Sequence, residues 1–468
     1  MEREILSQKN KALKINLDST TYGTIAEIGG GQEVARAFFQ AGGASGTVAK
    51  TISAYDKTFS DAIYNNYKSG RHVSENRLDK MLKKEYSELV RILIVERCSD
   101  TRFFAFANTV ETINYNKSNQ GHGWLGIKFQ LKSCGEPNEV VIHVRLLEND
   151  SLLQQYTLGI LGINLIYACF YHWYNPNDFL QSLMDNLSRD RVEINMARMS
   201  GPDLDYVDNR LLSVQLVKNG MTNVVIFDRN GKVKSAADML YKQNVLVFRG
   251  SFRPITYVGF DMLKTSYALF KKELGNNKDK SVVLCEMTLN NLLDKGEFDE
   301  RDFLDRVNIL NGMGQNVMIS DYKEFYKLIS YFSEFKIKEL RLLLGIPVLR
   351  KVFDEKYYAN LKGGIVEAFG RLFIQNLKIY VYPALDVETD KIKTVEKMDI
   401  PENIRFLVKH LLENQKILNV PNVKKERLHI TSKQVLAKIK AKDKTWEDLV
   451  PKYVSDFIKE KKLFCYES

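Results

Sequence analysis

Cysteine and proline are both scarce in this chain of 468 residues. The cysteines, Cys98, Cys134, Cys169, Cys285 and Cys465, are odd in number and show no C-x-x-C spacing. This pattern argues for a reducing compartment, and against structural zinc or a disulfide framework. With 9 prolines and no low-complexity tract, disorder is expected only at the ends and in a few loops.

Targeting and membrane-spanning segments are also missing from the sequence. The N-terminal stretch MEREILSQKNKALKINL lacks the apolar region of a secretory signal peptide. The most apolar run, residues 156–173, is interrupted by glycine, asparagine and histidine, so it falls short of a clean membrane span. We therefore expect a cytoplasmic protein with no membrane contact, in which this run forms a core helix or strand.

The composition that is present is ordinary for a folded globular protein, with 44% hydrophobic and 27% charged residues. Predicted strands alternate with helices through much of the chain, which favours an α/β fold. We expect a mixed, largely parallel sheet with Rossmann-like βα units and a small helical C-terminal region. The predicted regions are 1–100 (glycine loop and helices), 101–385 (α/β core) and 386–468 (basic and helical).

The formal net charge of +10 is unevenly distributed along the chain. Lysine and arginine concentrate in residues 416–444 and in the first fifteen residues. A basic surface of this kind could bind RNA or anionic substrates, but a solvated surface without a ligand is the simpler interpretation. We expect any contact with nucleic acid or a partner protein to involve this C-terminal region. The sequence does not indicate an oligomeric state.

The most informative stretch is residues 24–56. A short apolar segment is followed by Gly29, Gly30 and Gly31, and then by helical spacing from Gln32. A strand, a glycine turn and a helix present free N–H groups that favour phosphate. The dinucleotide and Walker patterns fail, whereas a methyl-donor loop, E-I-G-x-G, matches loosely. A tight turn without a ligand is the alternative.

Further candidate ligand-binding residues follow glycine turns or predicted strand ends. Arginine in such a position suits a phosphate or carboxylate, because the guanidinium group binds these oxyanions through two parallel hydrogen bonds. The alternative for each arginine is a salt bridge to a local acid. The complete set of predicted ligand-binding residues is Gly29, Gly30, Gly31, Gln32, Lys50, Arg249, Arg253 and Arg371.

Three side chains are candidate catalytic groups. His122 lies in a predicted loop between two glycines, where it could act as an acid or base near neutral pH. Glu286 and Asp321 lie at predicted strand ends and could share Mg²⁺ or form an acid/base pair. The alternatives are a loop histidine without a role and a helix N-cap for Asp321. No Ser-His-Asp or Cys-His set and no metal-ligand motif can be recognised.

Several motifs resemble those of one bacterial protein family along nearly the whole chain. They include EIGGGQEVAR at 27–36, GGASGTVAKTISAYD at 42–56 and GHGWLG at 121–126. Members of that family often carry the label nicotinate-nucleotide adenylyltransferase. Adenylyltransferases of that class use an H-x-G-H pair and a later S-x-T-x-x-R, and this chain has neither. The resemblance therefore implies a shared fold and a shared site rather than that activity.

These observations together predict a cytoplasmic enzyme that binds a nucleotide or another phosphorylated metabolite. Oxyanion-binding elements outnumber nucleophilic sets, which favours nucleotidyl or phosphoryl transfer. The first alternative is a non-catalytic protein that binds RNA or a protein partner through its basic C-terminal region. The second alternative is a methyltransferase that uses the E-I-G-x-G loop. The sequence does not identify a cofactor beyond suggesting Mg²⁺.

Overall fold

The structure is a computed structural model, and it describes residues 3–97, 99–275, 281–294, 297–386 and 388–467. The chain divides into two units, residues 1–223 and residues 224–468. Each unit has its own sheet and its own hydrophobic core. The boundary between the units lies inside the region that the sequence treats as one α/β core, and the three-region division remains a prediction.

The first unit is built around a six-stranded sheet. Its strands are β1 (Thr21–Gly29), β2 (Val48–Ser53), β3 (Arg102–Glu111), β4 (His122–Phe129), β5 (Asn138–Leu146) and β6 (Val192–Ser200). They lie in the order β2-β1-β3-β4-β5-β6. β1 pairs in parallel with β2 and β3, whereas β3 to β6 pair antiparallel in chain order. Strands β3 to β6 therefore form an antiparallel meander.

Helices cover both faces of this sheet. They are α1 (Gln8–Asn16), α2 (Glu33–Ala41), α3 (Lys57–Tyr64), α4 (Glu75–Arg97), α5 (Ser151–Tyr171), α6 (Pro176–Leu183) and α7 (Asn209–Lys218). Because side chains alternate along a strand, Phe104 and Phe106 join the main core with α1, α2 and α5. Phe103 and Ala105 point the other way and pack against α4. The sheet is thus a layer between α4 and the other core helices.

Helix α5 is the apolar run that the sequence left open between a core helix and a core strand. By length and composition it could span a membrane, but 72% of its most apolar window is buried inside the unit. Two glycines bring it close to α2. A Cβ atom on Gly162 would lie 2.3 Å from Val34 Cγ2, and one on Gly159 would lie 2.6 Å from Glu33 Cβ.

The second unit contains an eight-stranded sheet and two small hairpins. The sheet strands are β7 (Val224–Phe227), β8 (Val233–Lys234), β9 (Asn244–Arg249), β10 (Ser281–Thr288), β13 (Asn316–Ser320), β14 (Glu339–Gly345), β15 (Leu377–Tyr382) and β18 (Ile417–Asn419). The hairpins are formed by β11 (Leu293–Asp294) with β12 (Glu297–Phe298), and by β16 (Ala384–Asp386) with β17 (Lys391–Lys393). The sheet order is β18-β15-β14-β9-β10-β13-β7-β8.

The order of the parallel strands in this sheet has a point of reversal. From β9 the chain proceeds outward through β10 to β13, and then returns to place β14 on the other side of β9. From β14 it proceeds outward again through β15 to β18. Counting β9 as the first strand, the order is 3-2-1-4-5-6, which is that of doubly wound Rossmann folds.

Helices pack on both faces of the second sheet. They are α8 (Ala236–Leu240), α9 (Tyr257–Leu274), α10 (Leu289–Leu292), α11 (Glu300–Gly312), α12 (Phe325–Ser333), α13 (Ile346–Val352), α14 (Gly364–Leu372), α15 (Arg405–Glu413), α16 (Ser432–Lys440) and α17 (Lys452–Lys461). One core contains Val247 and Leu342 together with α12 to α15. On the opposite face, Tyr382 donates a 2.5 Å hydrogen bond to Asp261 of α9. The connecting helices therefore move from one face of the sheet to the other where the strand order reverses.

Three segments have more regular structure than their sequences predict. The polar lead-in contains α1, whose Lys11 is fully buried and donates hydrogen bonds to Asp185 and Asn164 at 2.6 and 2.7 Å. Residues Val48–Ser53 form the edge strand β2, whose polar composition obscures the alternation expected of a strand. Strand β18 (Ile417–Asn419) lies in the C-terminal region that the sequence predicts as helical.

The predicted fold class is confirmed at the level of an α/β protein with mixed sheets. Antiparallel pairs predominate in the first sheet, so "largely parallel" does not describe it. The expectation about cysteine also needs correction. Cys134 is disulfide-bonded, whereas Cys169, Cys285 and Cys465 are free, and Cys98 lies outside the described residues. The cysteine argument for a reducing compartment therefore loses its support.

The close packing of α5 on α2 predicts that Gly162→Ala lowers the free energy of unfolding by about 1–3 kcal/mol, because the new methyl group would overlap Val34. Urea denaturation measures this change. Gly370→Ala on α14 is the matched control, since a Cβ atom there meets nothing within 4 Å. It should stabilise the protein by about 0.5–1 kcal/mol. Equal effects of the two substitutions would contradict the close helix contact.

Candidate functional site

The glycine turn after β1 packs tightly against strand β3 of its own sheet. Gly29 has a φ of +77°, and a Cβ atom there would lie 2.1 Å from the Val110 carbonyl oxygen. Cβ atoms on Gly30 and Gly31 would lie 2.4 Å from Thr112 Cγ2 and from Asn108 Oδ1. Close packing against these protein atoms is therefore enough to explain why glycine occupies all three positions.

The N-terminus of α2, which the sequence predicts as an anion site, already holds a carboxylate. Glu27 accepts hydrogen bonds from the amides of Val34 and Ala35 at 3.3 and 3.1 Å. Asn108 Nδ2 donates a third bond to it at 2.9 Å. Gln32, the exposed N-cap residue, makes no side-chain capping bond. An external phosphate at the amides of Val34 and Ala35 would have to displace Glu27.

Glu27 is buried, and its charge is only partly compensated. Burial raises the pKa of this carboxyl to about 7, while the bonds from Ala35, Asn108 and Val34 oppose the rise. Asn108 Oδ1 is itself buried, with no hydrogen-bond partner among the described residues. A rotated Asn108 amide could therefore accept the proton of a neutral Glu27. The pair provides a titratable group near pH 7 at the end of β1.

Lys50 lies on β2 and points to the face of the sheet that α4 covers, not to the glycine turn. Its ammonium group lies 2.6 Å from Glu85 Oε2 and 2.8 Å from Glu88 Oε2, both on α4. The Tyr64 hydroxyl donates a 2.8 Å hydrogen bond to Glu85 Oε1. A phosphate bound by Lys50 would have to compete with two carboxylates.

His122 begins strand β4 rather than lying in a loop, and it forms a chain with two other side chains. Its Nδ1 lies 3.3 Å from Nε2 of the buried His143, whose Nδ1 lies 2.7 Å from Asn195 Oδ1. Because an amide oxygen only accepts, the contact with Asn195 requires a proton on His143 Nδ1, and a neutral His143 would then accept a hydrogen bond from His122 at Nε2. The Nε2 atom of His122 then faces Glu111 Oε2 at 3.9 Å.

Glu286 and Arg249 form a buried ion pair across strands β10 and β9 in the second unit. Arg249 Nε and Nη2 donate to the two Glu286 oxygens at 2.5 and 2.9 Å, and Ser320 Oγ also donates to this carboxylate. Arg249 further donates to the carbonyl oxygens of Tyr322 and Lys323 at 2.9 and 3.2 Å. Its guanidinium group is therefore held at the carboxyl ends of three neighbouring strands.

Asp321 follows β13 directly, and its side chain is exposed. The N-cap residue of α12 is Glu324, so the alternative that Asp321 caps this helix is wrong. Asp321 precedes Tyr322, the residue whose carbonyl oxygen binds Arg249. It is thus the one predicted catalytic residue of this unit whose carboxylate faces solvent.

The two remaining arginines also pair with acids. Arg253 Nε donates to Asp302 Oδ1 at 2.6 Å, and the buried Arg306 binds the same carboxylate. Arg371 is exposed on α14 and donates to Glu367 one turn earlier at 2.7 Å. Each of the three arginines predicted to bind a ligand therefore forms a salt bridge with a local acid.

The predicted site residues are divided between the two units. The glycines, Gln32, Lys50 and His122 belong to the first unit, and the other candidates belong to the second. Within the second unit, Arg249, Glu286 and the segment after β13 come together. Ser320 completes this cluster. Sequence reasoning missed Ser320, although it is the last residue of a strand predicted to end there.

The carboxyl ends of β9 and β14 border the point where the strand order reverses. The segment 250–256 leads from β9 into α9, an 18-residue helix capped by Thr256. Gly345 ends β14 and begins α13, and a Cβ atom there would meet only Pro347 Cδ at 3.7 Å and Met262 Cε at 4.0 Å. This side of the crevice therefore has room for a larger group.

The basic C-terminal region is packed onto the second unit. Ser432 Oγ, at the start of α16, donates a 2.9 Å hydrogen bond to the Pro254 carbonyl oxygen. The Phe464 amide donates a 3.0 Å bond to Asp305 on α11. Trp446 in this region is buried. This region therefore contributes to the structure of the unit around the β9 loop.

No protein-family model and no curated protein matches the chain. Among solved structures, it is similar to the competence/damage-inducible protein CihA from Agrobacterium tumefaciens, with 15% identity and a TM-score of 0.23, over 35% of this chain and 93% of that one. It is also similar to a CinA-superfamily protein from Klebsiella pneumoniae, with 11% identity and a TM-score of 0.27, over 36% and 100% of the two chains.

A further similar structure comes from Vibrio parahaemolyticus and is provisionally named a nicotinate-nucleotide adenylyltransferase. The identity is 12% and the TM-score 0.24, over 47% of this chain and 95% of that chain. The name is the same as the label met in the sequence resemblance. TM-scores this low do not establish a common fold, so membership of the suspected family stays a prediction.

The raised pKa of Glu27 predicts a pH-dependent stability. Between its usual value of 4.5 and about 7, the folded protein retains a proton that the unfolded chain has lost. The free energy of unfolding therefore falls as the pH rises through this window and is level above it. The Glu27→Gln variant lacks this titrating carboxyl. Its free energy of unfolding, taken relative to that of the wild type, should therefore rise by roughly 3 kcal/mol between pH 4.5 and pH 8.

Urea denaturation at several pH values between 4.5 and 8 measures this gain. Glu33→Gln in the same turn of α2 is the matched control, and it should keep the wild-type pH dependence because Glu27 remains. A Glu27→Gln variant whose stability runs parallel to that of the wild type across this range would show that Glu27 does not titrate there.

Proposed function

We propose that the protein is an enzyme that binds a nucleotide or another phosphorylated metabolite at the carboxyl edge of the second sheet. The observation that carries this proposal is the reversal of strand order between β9 and β14. In open α/β sheets, ligands bind in the crevice outside the carboxyl ends of the strands at such a reversal. The cluster of Arg249, Glu286 and Ser320 lies at the same edge.

One hydrogen-bond donor at this edge is left for an anionic ligand. Arg249 has five N–H donors, and four hydrogen bonds to Glu286, Tyr322 and Lys323 hold it in place. The remaining donor of this fixed guanidinium group could contact a phosphate oxygen. Glu286 would then orient Arg249 rather than act on the substrate, since its oxygens already accept bonds from Arg249 and Ser320.

Asp321 is the residue we propose for proton transfer or for contact with a metal ion. Among the described residues, no group of three or more His, Cys, Asp or Glu side chains could hold a metal by itself. Mg²⁺ commonly binds through one or two carboxylates together with substrate phosphates and water. A magnesium ion that arrives with a nucleotide and contacts Asp321 is consistent with nucleotidyl or phosphoryl transfer, the reaction class we propose.

A thermal-shift screen with nucleotides and sugar phosphates, each with and without Mg²⁺, tests the binding site. A ligand present at about a hundred times its Kd stabilises the folded state by about 2.7 kcal/mol, which should raise the Tm by about 5–10 °C. Gly345→Val should abolish the shift, because the added side chain enters the crevice where a Cβ atom meets no close contact.

Gly370→Val is the matched control, because a Cβ atom at this exposed position on α14 meets nothing within 4 Å. It should keep the full ligand-induced shift. A shift that survives Gly345→Val would place the ligand elsewhere. Shifts that occur only with short RNA and fade with added salt would favour the basic C-terminal region as the binding surface.

A further inference from the structure

A second cavity lies at the opposite, amino-terminal edge of the sheet in the second unit. Its volume is about 590 Å³, within the range of small-molecule sites. It is bordered by α9, by the first residues of β10 and β13, by the turn before β13 and by the start of α17. From Ser281 at this edge to Glu286 is five residues of strand, or roughly 16 Å, so the two sites are separate.

The charged side chains described around this cavity are all positive. Arg229 and Lys264 line it, and none of the lining residues that the structure describes is acidic. Neither of these two side chains forms an ion pair with any residue that the structure describes, in contrast to Lys50, Arg249, Arg253 and Arg371. The position of Arg229 is defined by its backbone, whose amide donates a 3.1 Å hydrogen bond to Asn316 Oδ1 at the cavity edge.

The walls of the cavity are largely apolar and partly aromatic. Phe260 and Leu263 come from α9, Met313 from the turn before β13, and Tyr453 from α17. Tyr453 is 43% exposed, and Phe260 and Met313 are half-buried. Apolar walls with a few convergent polar groups are typical of sites for small organic ligands. Aromatic walls favour a ligand that itself contains a ring.

We propose that this cavity binds a small amphipathic anion, in which an aromatic group lies between Phe260 and Tyr453 and an acidic group lies toward Arg229 and Lys264. The apolar walls beside two cations favour an amphipathic anion over a purely polar one such as free phosphate. This site does not depend on the function proposed for the carboxyl edge. Because the two edges are apart, both sites can be occupied at once.

The test uses the full chain and the aromatic sulfonate 8-anilinonaphthalene-1-sulfonate, whose fluorescence rises in apolar sites. The double variant Arg229→Gln/Lys264→Gln should bind this probe at least tenfold more weakly, because both charge-assisted contacts are lost. Lys272→Gln, an exposed lysine further along α9, is the matched control and should bind like the wild type. The uncharged analogue N-phenyl-1-naphthylamine should bind the double variant and the wild type equally.

A cavity-filling variant, Met313→Trp, separates this site from other apolar surfaces. It should weaken both the charged and the uncharged probe at least tenfold, because the larger side chain occupies the volume between α9 and α17. Urea denaturation of each variant checks that it remains folded. Unchanged binding of the sulfonate by either the double variant or a folded Met313→Trp variant would overturn the proposal.

Discussion

The ion pair between Arg249 and Glu286 is the interaction on which the edge of the second sheet depends. A carboxylate buried in the middle of a parallel sheet is costly unless it is paired and hydrogen-bonded. Glu286 is fully buried, and Arg249 compensates its charge from the neighbouring strand. The same guanidinium group also binds the carbonyl oxygens of Tyr322 and Lys323. One pair therefore links β9, β10 and the connection that returns the chain to β14.

A more general feature is that the protein satisfies most of its candidate ligand-binding groups internally. Glu27 occupies the helix N-terminus where an anion was expected, and Lys50 binds two carboxylates of α4. Arg253 and Arg371 each have an acidic partner. Residue type alone does not distinguish a ligand-binding cation from a structural one. A cation beside a cavity that has no ion-pair partner among the described residues, such as Arg229, is the more informative observation.

The glycine-rich turn shows why local motifs mislead. A strand, three glycines and a helix predict a phosphate site, because glycine permits close approach and helix amides attract anions. Here the group that approaches closely is strand β3, through Val110 and Asn108, and the anion is Glu27. Both physical requirements are met within the protein. A single sequence does not show which neighbour satisfies them.

Individual elements could largely be predicted from the sequence, because burial of one face of a helix or strand leaves a local pattern of apolar residues. The apolar run at residues 156–173, for example, indicated a core element, and most of it lies in the buried helix α5. Edge strand β2 could not be predicted, because a half-exposed strand with polar residues shows only a weak alternation of apolar and polar side chains. Three features became visible only in the tertiary structure. The candidate residues are divided between two units, Arg249 pairs with Glu286, and the strand order reverses beside β9. These facts depend on strand order and pairing, which bring together residues far apart in the chain and leave no local pattern.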